Sequence, residues 1–148
     1  MRAVIQRVLN ASVNVDGERI SSIQKGLLCF LGVEKDDTGK DTQYIVNKIA
    51  ALRIFEDDDG KSNLSVTDVG GEVLLVSQFT LCGDARKGRR PDFFSAAGPE
   101  TAEQLYTDAC EQLSALVPVA RGKFRADMKI AAMNDGPYTI LLDSKRRF

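Results

Sequence analysis

Four consecutive residues in the middle of the chain carry groups that could act on a carbonyl. Ser77, Gln78 and Thr80 supply two hydroxyls and an amide, with the ring of Phe79 between them, directly after an apolar run. Together with backbone N–H groups, these donors could converge on a substrate carbonyl and stabilise the charge that develops there. The commoner meaning of this pattern is a strand end whose polar groups meet solvent.

The absence of histidine limits what these hydroxyls could do. The 148 residues contain no histidine and no tryptophan. This excludes Ser-His-Asp and Cys-His catalysis, zinc sites of the HExxH type and a histidine acid or base. A nucleophilic Ser77 or Thr80 would need an activating base, which only a lysine or a carboxylate could supply. An enzyme of this composition must rely on hydroxyls, carboxylates, backbone groups or the substrate itself.

Gly136 and Pro137 form a second unusual pair, between Asp135 and Tyr138. Most Gly-Pro pairs are trans turns, because only about 5–6% of X-Pro bonds in folded proteins are cis. A cis bond would direct successive main-chain carbonyls in a way that a trans turn cannot. The residues themselves leave both geometries open.

A basic loop that contains glycine covers residues 83–98. Its cations are Arg86, Lys87, Arg89 and Arg90. Phosphate binding and simple solvation explain this pattern equally well. Phe93 and Phe94 beside the cations could stack on a base or pack in the core. The chain has no Walker A or GxGxxG spacing, so no nucleotide-binding loop is predicted.

The composition of the chain limits its possible partners, cofactors and cellular location. The formal net charge is -1, so any affinity for nucleic acid must come from local patches. Cys29, Cys82 and Cys110 form no CxxC pair, which is typical of free thiols in a reducing compartment. Residues 57–59 are aspartates without the alternate spacing of a calcium loop. No apolar run reaches the roughly 18 residues of a membrane span. We therefore expect a cytoplasmic protein with no membrane partner, no metal and no other cofactor.

The sequence predicts several strands that would position the functional segments described above. Residues 2–8 and 12–15 have strand composition, and the Asp16-Gly17 pair that follows is a strong hairpin signal. Residues 26–33 are a nearly continuous apolar run, typical of a strand buried on both faces. The apolar half of residues 72–81 predicts a central strand. Its polar half emerges at the C-terminal end of that strand, where sites tend to lie.

Two helices complete the prediction. Thr38, with Asp41 three residues later, resembles a capping box and starts the first helix. The second begins with Pro99 at the first helical position. In the last third we expect strands at 119–124, 128–133 and 138–143, with a turn at 134–137. The sum is one mixed α/β domain, residues 1–148, with more strands than helices.

Taken together, the motifs resemble the D-aminoacyl-tRNA deacylases, the D-tyrosyl-tRNA deacylase family. Five segments carry the resemblance, namely MRAVIQRV at 1–8, SQFTL at 77–81, KGRRP at 87–91, ADM at 126–128 and NDGP at 134–137. Each segment is a weak signal alone. The full set, in this order and at this chain length, is highly specific and covers nearly the whole chain.

The resemblance implies a homodimeric, tRNA-proofreading hydrolase. It would cleave the ester between a D-amino acid and the 3′-terminal adenosine of tRNA, and would also remove glycine mischarged on alanine tRNA. The expected fold is α/β, with mixed, mostly antiparallel sheets forming a barrel-like core and two main helices packed outside. DNA is not an expected partner. The alternative function is a non-catalytic RNA-binding module.

The resemblance also assigns the site. Its catalytic segment is Ser77, Gln78, Phe79 and Thr80. Gly136 and Pro137 match a Gly-cis-Pro element that enters the partner subunit's active site and rejects L-amino acids through main-chain carbonyls, and Arg7 matches the arginine that holds this element. The favoured mechanism uses the ribose 2′-hydroxyl, and the alternative makes Thr80 a covalent nucleophile. We expect Arg86, Lys87, Arg89 and Arg90 to bind tRNA.

Two residues depart from the family pattern. Tyr138 stands where valine or another apolar residue usually follows Gly-Pro, and Arg125 stands where glycine is common. Neither lies in the SQFT or Gly-Pro segment. Tyr138 could reshape the flank of the carbonyl wall, and Arg125 could add a phosphate contact.

Overall fold

One long strand organises the molecule, which we describe from a computed structural model of residues 1–148. The elements in chain order are β1 (Arg2–Val15), β2 (Glu18–Ile23), β3 (Gly26–Gly32), α1 (Gly39–Ala51), β4 (Phe55–Glu56), β5 (Ser62–Leu64), β6 (Glu72–Ser77), a 3₁₀ turn (Phe79–Cys82), α2 (Pro99–Ser114), β7 (Val119–Arg121) and β8 (Lys129–Asp143). β1 pairs antiparallel with β3 and then β2 along one edge, and with β8 along the other.

The main sheet has six strands and closes almost completely into a barrel. Beyond β3 it continues through β6 and β7, each parallel to its neighbour. β2 approaches β6 and β7 from the opposite end, which nearly closes the sheet. β4 and β5 form a separate antiparallel pair. The predicted α/β class, with a barrel-like core and two helices outside, is confirmed.

The buried strands separate two apolar cores. Leu27 and Leu31 of β3 point toward the helices, and Leu28 points into the barrel. In β6, Leu75 faces the helices and Leu74 faces the barrel. Both strands are buried on both faces, as their continuous apolar sequences predict.

Local signals set the element boundaries where they were expected. Asp16 and Gly17 both have positive φ, 52° and 84°, which is the geometry of the tight hairpin turn that Asp-Gly favours. Thr38 and Asp41 form the predicted capping box at the start of α1. Pro99 opens α2. Neither helix has the length and apolar character needed to cross a lipid bilayer.

The predicted turn at residues 134–137 is wrong. β8 continues from Lys129 to Asp143 as one strand, and its pairing with β1 slips where the turn was expected. Between the Gln6–Thr139 and Val8–Asn134 pairs, Arg7 alone on β1 faces residues 135–138 on β8. The extra residues form a bulge because β1 offers a continuous edge on both sides of it.

Candidate active site

A cavity of about 570 Å³ opens at the C-terminal end of β6. Four separate parts of the chain form its walls. Three of them contribute Ser77, Gln78 and Phe79 at the end of β6, Ala97, Pro99, Ala102 and Tyr106 around the start of α2, and residues 124–128 with Ile130 before and within β8. Leu31 and Val33 close it at the end of the parallel neighbour β3. The lining is mostly apolar with a few polar groups, as in small-ligand sites generally.

Backbone hydrogen bonds fix the predicted catalytic segment. The Gln78 N–H donates to the Leu31 carbonyl at 2.7 Å, which ties the segment to β3. A 3₁₀ turn begins at Phe79, and the first N–H groups of such a turn have no partner within it. The N–H groups of Phe79 and Thr80 therefore remain available as donors for a bound oxyanion.

The side chains of this segment differ in their surroundings. Ser77 and Phe79 line the cavity, and Phe79 remains 58% exposed. The Phe79 ring meets Phe93 edge-on, at 5.1 Å between centroids. Thr80 is exposed and lies outside the cavity lining, and its Oγ1 accepts a hydrogen bond from Gln78 Nε2 at 2.5 Å. No lysine or carboxylate contacts the Thr80 hydroxyl.

The cavity wall contains few ionisable side chains. Asp127 is its one carboxylate, and it pairs with Lys129 at 2.9 Å. Burial raises the pKa of the Tyr106 hydroxyl, which stays protonated and donates to the Leu75 carbonyl at 2.8 Å. This bond fixes α2 to β6.

Arg7 contacts the residues at both ends of the β8 bulge. Its side chain is buried, and Nη1 donates to the Ile54 carbonyl at 2.6 Å. Nε contacts both the main-chain oxygen of Asp135, at 3.2 Å, and its carboxylate, at 3.1 Å. The guanidinium also lies 5.0 Å from the centre of the Tyr138 ring. The unusual Tyr138 therefore stacks against Arg7 as a cation–π partner.

The top of the bulge is exposed. Gly136 and Pro137 both face solvent, and the peptide bond between them is cis. Gly136 has a φ of +127°, and a Cβ there would lie 3.3 Å from Arg7 Nη2 and 3.0 Å from the Tyr138 nitrogen. This position requires glycine for both conformational and steric reasons. Arg7, Gly136 and Pro137 do not line the cavity of their own chain.

The basic loop lies beside a different cavity, of about 770 Å³, whose wall includes Arg86. The Arg86 Nε contacts the two Asp84 carboxylate oxygens at 2.9 and 3.0 Å. The Arg86 hydrogen bond lowers the pKa of Asp84, so this arginine is already paired. Lys87, Arg89 and Arg90 are exposed and form no ion pair.

Arg125 is a site residue for which sequence reasoning gave only a weak signal. It lines the first cavity and has a φ of +60°. This left-handed conformation favours glycine, the residue that the family resemblance leads us to expect at this position. The signal was the departure from that pattern, since spacing and periodicity do not distinguish Arg125 from any other loop cation.

Comparison with known proteins identifies the family. A family model described as D-Tyr-tRNA(Tyr) deacylase matches residues 4–143. The chain belongs to this family. A D-aminoacyl-tRNA deacylase from Anaeromyxobacter dehalogenans is 56% identical over 149 residues, and one from Natranaerobius thermophilus is 54% identical over 150 residues. Each comparison covers 100% of both chains. The predicted family and the enzyme class that it implies, a hydrolase of aminoacyl-tRNA esters, are confirmed.

The deacylase fold is matched by a solved structure as well. A protein named c-Myc DNA Unwinding Element Binding Protein is 46% identical, with a TM-score of 0.92. The match covers 97% of this chain and 98% of that one. The same fold therefore extends over nearly the whole of this chain.

Proposed function

We propose that the cavity beside Ser77 and Phe79 hydrolyses the ester between a D-amino acid and the 3′-terminal adenosine of tRNA. Family membership supports the reaction. The volume of about 570 Å³ lies within the range of small-ligand sites. The observation that carries the assignment is the start of the 3₁₀ turn, because Phe79 lines this cavity and the N–H groups of Phe79 and Thr80 have no partner within the turn and can stabilise an oxyanion.

In the proposed reaction, water attacks the ester carbonyl carbon while the N–H groups of Phe79 and Thr80 stabilise the oxygen. The bond to the ribose 3′-oxygen then breaks, and the proton that the water loses is delivered to that oxygen. The ribose 2′-hydroxyl is next to the reacting ester and mediates this transfer. The substrate takes this role because the cavity wall has no histidine, and its one carboxylate is paired with Lys129.

The alternative mechanism, with Thr80 as a covalent nucleophile, has less support. Its Oγ1 accepts from the Gln78 amide, which cannot remove a proton from it. An activated hydroxyl requires a general base within hydrogen-bond distance. Thr80 is therefore assigned a role in orienting Gln78 and the turn.

Selection for D-amino acids is assigned to a second copy of the chain. Because Gly136 and Pro137 are exposed and lie outside their own cavity, they can act only on the cavity of another chain. Their main-chain carbonyls would form a wall beside the substrate α-carbon. A D side chain points away from this wall and an L side chain collides with it. Glycine has no side chain to reject, so glycine mischarged on alanine tRNA is also a substrate.

A homodimer is consistent with the apolar groups that surround the bulge. Leu9 on β1, and Met133 and Leu141 on β8, are 46%, 56% and 58% exposed. Large apolar side chains concentrated around one feature are typical of interaction surfaces. A two-fold axis near β8 would bury these residues and place each bulge in the partner's cavity.

Deacylation of matched substrates tests the proposed function. Purified protein should hydrolyse D-Tyr-tRNA and glycyl-tRNA(Ala) while leaving L-Tyr-tRNA intact. Equal rates on the D and L esters would contradict selection by the carbonyl wall. The alternative is a nucleic-acid-binding module without catalysis, which the name of the 46% identical solved structure suggests. Binding of all three tRNAs without hydrolysis would establish that alternative.

A further inference from the structure

Three unpaired cations follow one another along the segment that leads to the cavity. Arg121, Lys123 and Arg125 are exposed, whereas the residues between them, Gly122 and Phe124, are half-buried. No hydrogen bond or ion pair occupies any of the three charged groups. We call these three residues the basic rim.

No carboxylate of the chain pairs with the three cations of the basic rim, so they can bind a ligand. Asp127, the nearest carboxylate along the chain, is occupied by Lys129, with its oxygens 2.9 and 3.0 Å from Nζ. Arg86 of the basic loop is, by contrast, paired with Asp84. The rim is therefore a cationic patch at the wall of the cavity, where an anion would meet no competing internal partner.

Arg125 is the member of the rim that lines the cavity. Its φ of +60° is a conformation that a glycine adopts more easily than any other residue. The chain thus carries a long cationic side chain at a backbone position where it is conformationally unfavourable. A hydrogen-bond partner inside the protein would explain such a residue, but Arg125 has none. The partner must then come from outside the chain, and a ligand that enters the cavity would supply one.

We propose that Arg125 is a positioning residue that binds an oxyanion of the aminoacyl-tRNA at the cavity mouth, with Arg121 and Lys123 extending the contact along the single-stranded 3′ end. This inference rests on the proposed active site. The ester is attached to the terminal nucleotide, so a phosphodiester of the RNA lies one nucleotide away from the reacting carbon. A cation at the cavity mouth, such as Arg125, is therefore placed to contact that phosphodiester. An acidic D side chain would present the same chemistry as a carboxylate.

The experiment compares Arg125→Ala, Arg125→Gly and Arg125→Lys with the wild type. Lys61→Ala, which removes an exposed cation outside the cavity lining, is the matched control. KM and kcat are measured for D-Tyr-tRNA and D-Asp-tRNA over a series of salt concentrations. Arg125→Gly suits the left-handed backbone, so its fold and Tm should be retained, and a change in its kinetics then reports the lost charge.

Loss of the charged contact should raise KM about tenfold in the Ala and Gly variants, with kcat within about twofold of wild type. If a phosphate is the ligand, both substrates are affected, and the slope of log KM against log salt falls by about 0.7, the value for one contact to a single strand. Arg125→Lys should restore that slope. A KM effect confined to D-Asp-tRNA, with an unchanged salt slope, identifies the side-chain carboxylate as the oxyanion.

Unchanged KM for both substrates, or a change equal to that of Lys61→Ala, would overturn the proposal. That outcome differs from failure of the proposed function. If the site itself were wrongly assigned, filling the cavity with Ala102→Phe would leave hydrolysis of D-Tyr-tRNA intact, whatever residue 125 is.

Discussion

The Nε of Arg7 lies 3.1 Å from the carboxylate of Asp135, at the point between Gln6 and Val8 where the pairing of β1 with β8 shifts its register. The same nitrogen contacts the Asp135 main-chain oxygen. One buried cation therefore binds both the side chain and the backbone at the start of the bulge. Its stack on Tyr138 at the other end places Gly136 and Pro137 between two contacts of the same side chain.

Removal of Arg7 should destabilise the protein and loosen D/L selection. Arg7→Ala leaves the Ile54 and Asp135 acceptors without their charged donor, and we expect a loss of about 2 kcal/mol in the free energy of unfolding. Urea denaturation measures that loss. Arg19→Ala, which removes an exposed arginine of β2, is the control and should change stability by under about 0.5 kcal/mol. Wild-type stability and wild-type D/L ratios in Arg7→Ala would show that Arg7 does not hold the bulge.

Thr80→Ala should slow hydrolysis only modestly if the substrate supplies the reactive hydroxyl. We expect kcat within about tenfold of wild type, because the variant loses one side-chain hydrogen bond, worth about 1 kcal/mol, and keeps the backbone donors. Single-turnover kinetics with D-Tyr-tRNA measure the effect. Mass spectrometry of quenched wild-type reactions is the complementary test, and an acyl group trapped on Thr80 would refute the RNA-assisted mechanism.

The ribose 2′-hydroxyl should be essential for the chemical step. A tRNA that ends in 2′-deoxyadenosine, esterified at the 3′-oxygen, should bind normally but react at least about 100-fold more slowly, which is the lower range for loss of acid–base assistance. KM and kcat for the two tRNAs separate binding from chemistry. Equal kcat values for the ribose and deoxyribose substrates are the result that this account does not allow.

The basic loop should contribute to tRNA affinity through three of its four cations. Replacing Lys87, Arg89 and Arg90 with alanine should raise KM and reduce the log–log salt slope by about 2, if each contacts one phosphate of single-stranded RNA. Arg86→Ala alone is the matched control and should have a smaller effect, because Asp84 already pairs with that arginine. An unchanged salt slope in the triple variant would remove the loop from the tRNA interface.

Acid should destabilise the protein through Glu34, which the chain buries beside Arg147 and the Met1 ammonium. Burial alone would raise the pKa of Glu34, but the Arg147 hydrogen bond and the neighbouring positive charges outweigh it and lower that pKa below 4.5. A carboxyl with a lowered folded-state pKa adds stability above its unfolded value, and that stability is lost as pH falls through the folded value.

The measurement for Glu34 is the free energy of unfolding of wild type and Glu34→Gln between pH 7 and pH 3. The wild type should lose more stability than the variant as the pH falls below about 4.5. Parallel pH dependence of the two proteins would mean that the Glu34 carboxylate does not contribute in this way.

Local sequence determined the elements that were predicted correctly. Asp16-Gly17, the Thr38–Asp41 pair and Pro99 act within a few residues of themselves, so their hairpin turn and helix starts follow from sequence alone. The bulge in β8 depends on its pairing with β1, more than 120 residues earlier in the chain. A local pattern at residues 134–137 favours a turn and carries no information about that distant partner.

The candidate site, too, could be predicted only in part from the sequence. The position of Ser77 at the end of a buried strand predicts a site there, and a cavity opens at that end of β6. The cavity walls come from segments that sequence periodicity does not connect, and the left-handed backbone at Arg125 becomes evident only in three dimensions. The contact of Arg7 with Tyr138 explains a residue that had looked like a plain departure from the family.

The central claim is that one chain supplies the cavity and its partner supplies the bulge. Two defective variants test it. Ala102→Phe fills the cavity and leaves the bulge intact. Gly136→Ala places a Cβ against Arg7 and the Tyr138 nitrogen at a φ of +127°, which disrupts the bulge and leaves the cavity intact. Ala102→Phe alone should be inactive on both esters, whereas Gly136→Ala alone should hydrolyse D-Tyr-tRNA and L-Tyr-tRNA alike, because its carbonyl wall is disrupted.

Heterodimers are then isolated by two different C-terminal tags after co-expression, and D-Tyr-tRNA hydrolysis is measured. In a two-fold dimer, one of the two composite sites combines an intact cavity with an intact bulge. The heterodimer should therefore hydrolyse D-Tyr-tRNA at about half of the wild-type rate and, assayed on L-Tyr-tRNA, leave that ester intact. If the heterodimer hydrolyses L-Tyr-tRNA as Gly136→Ala does, each chain completes its own site and the account is contradicted.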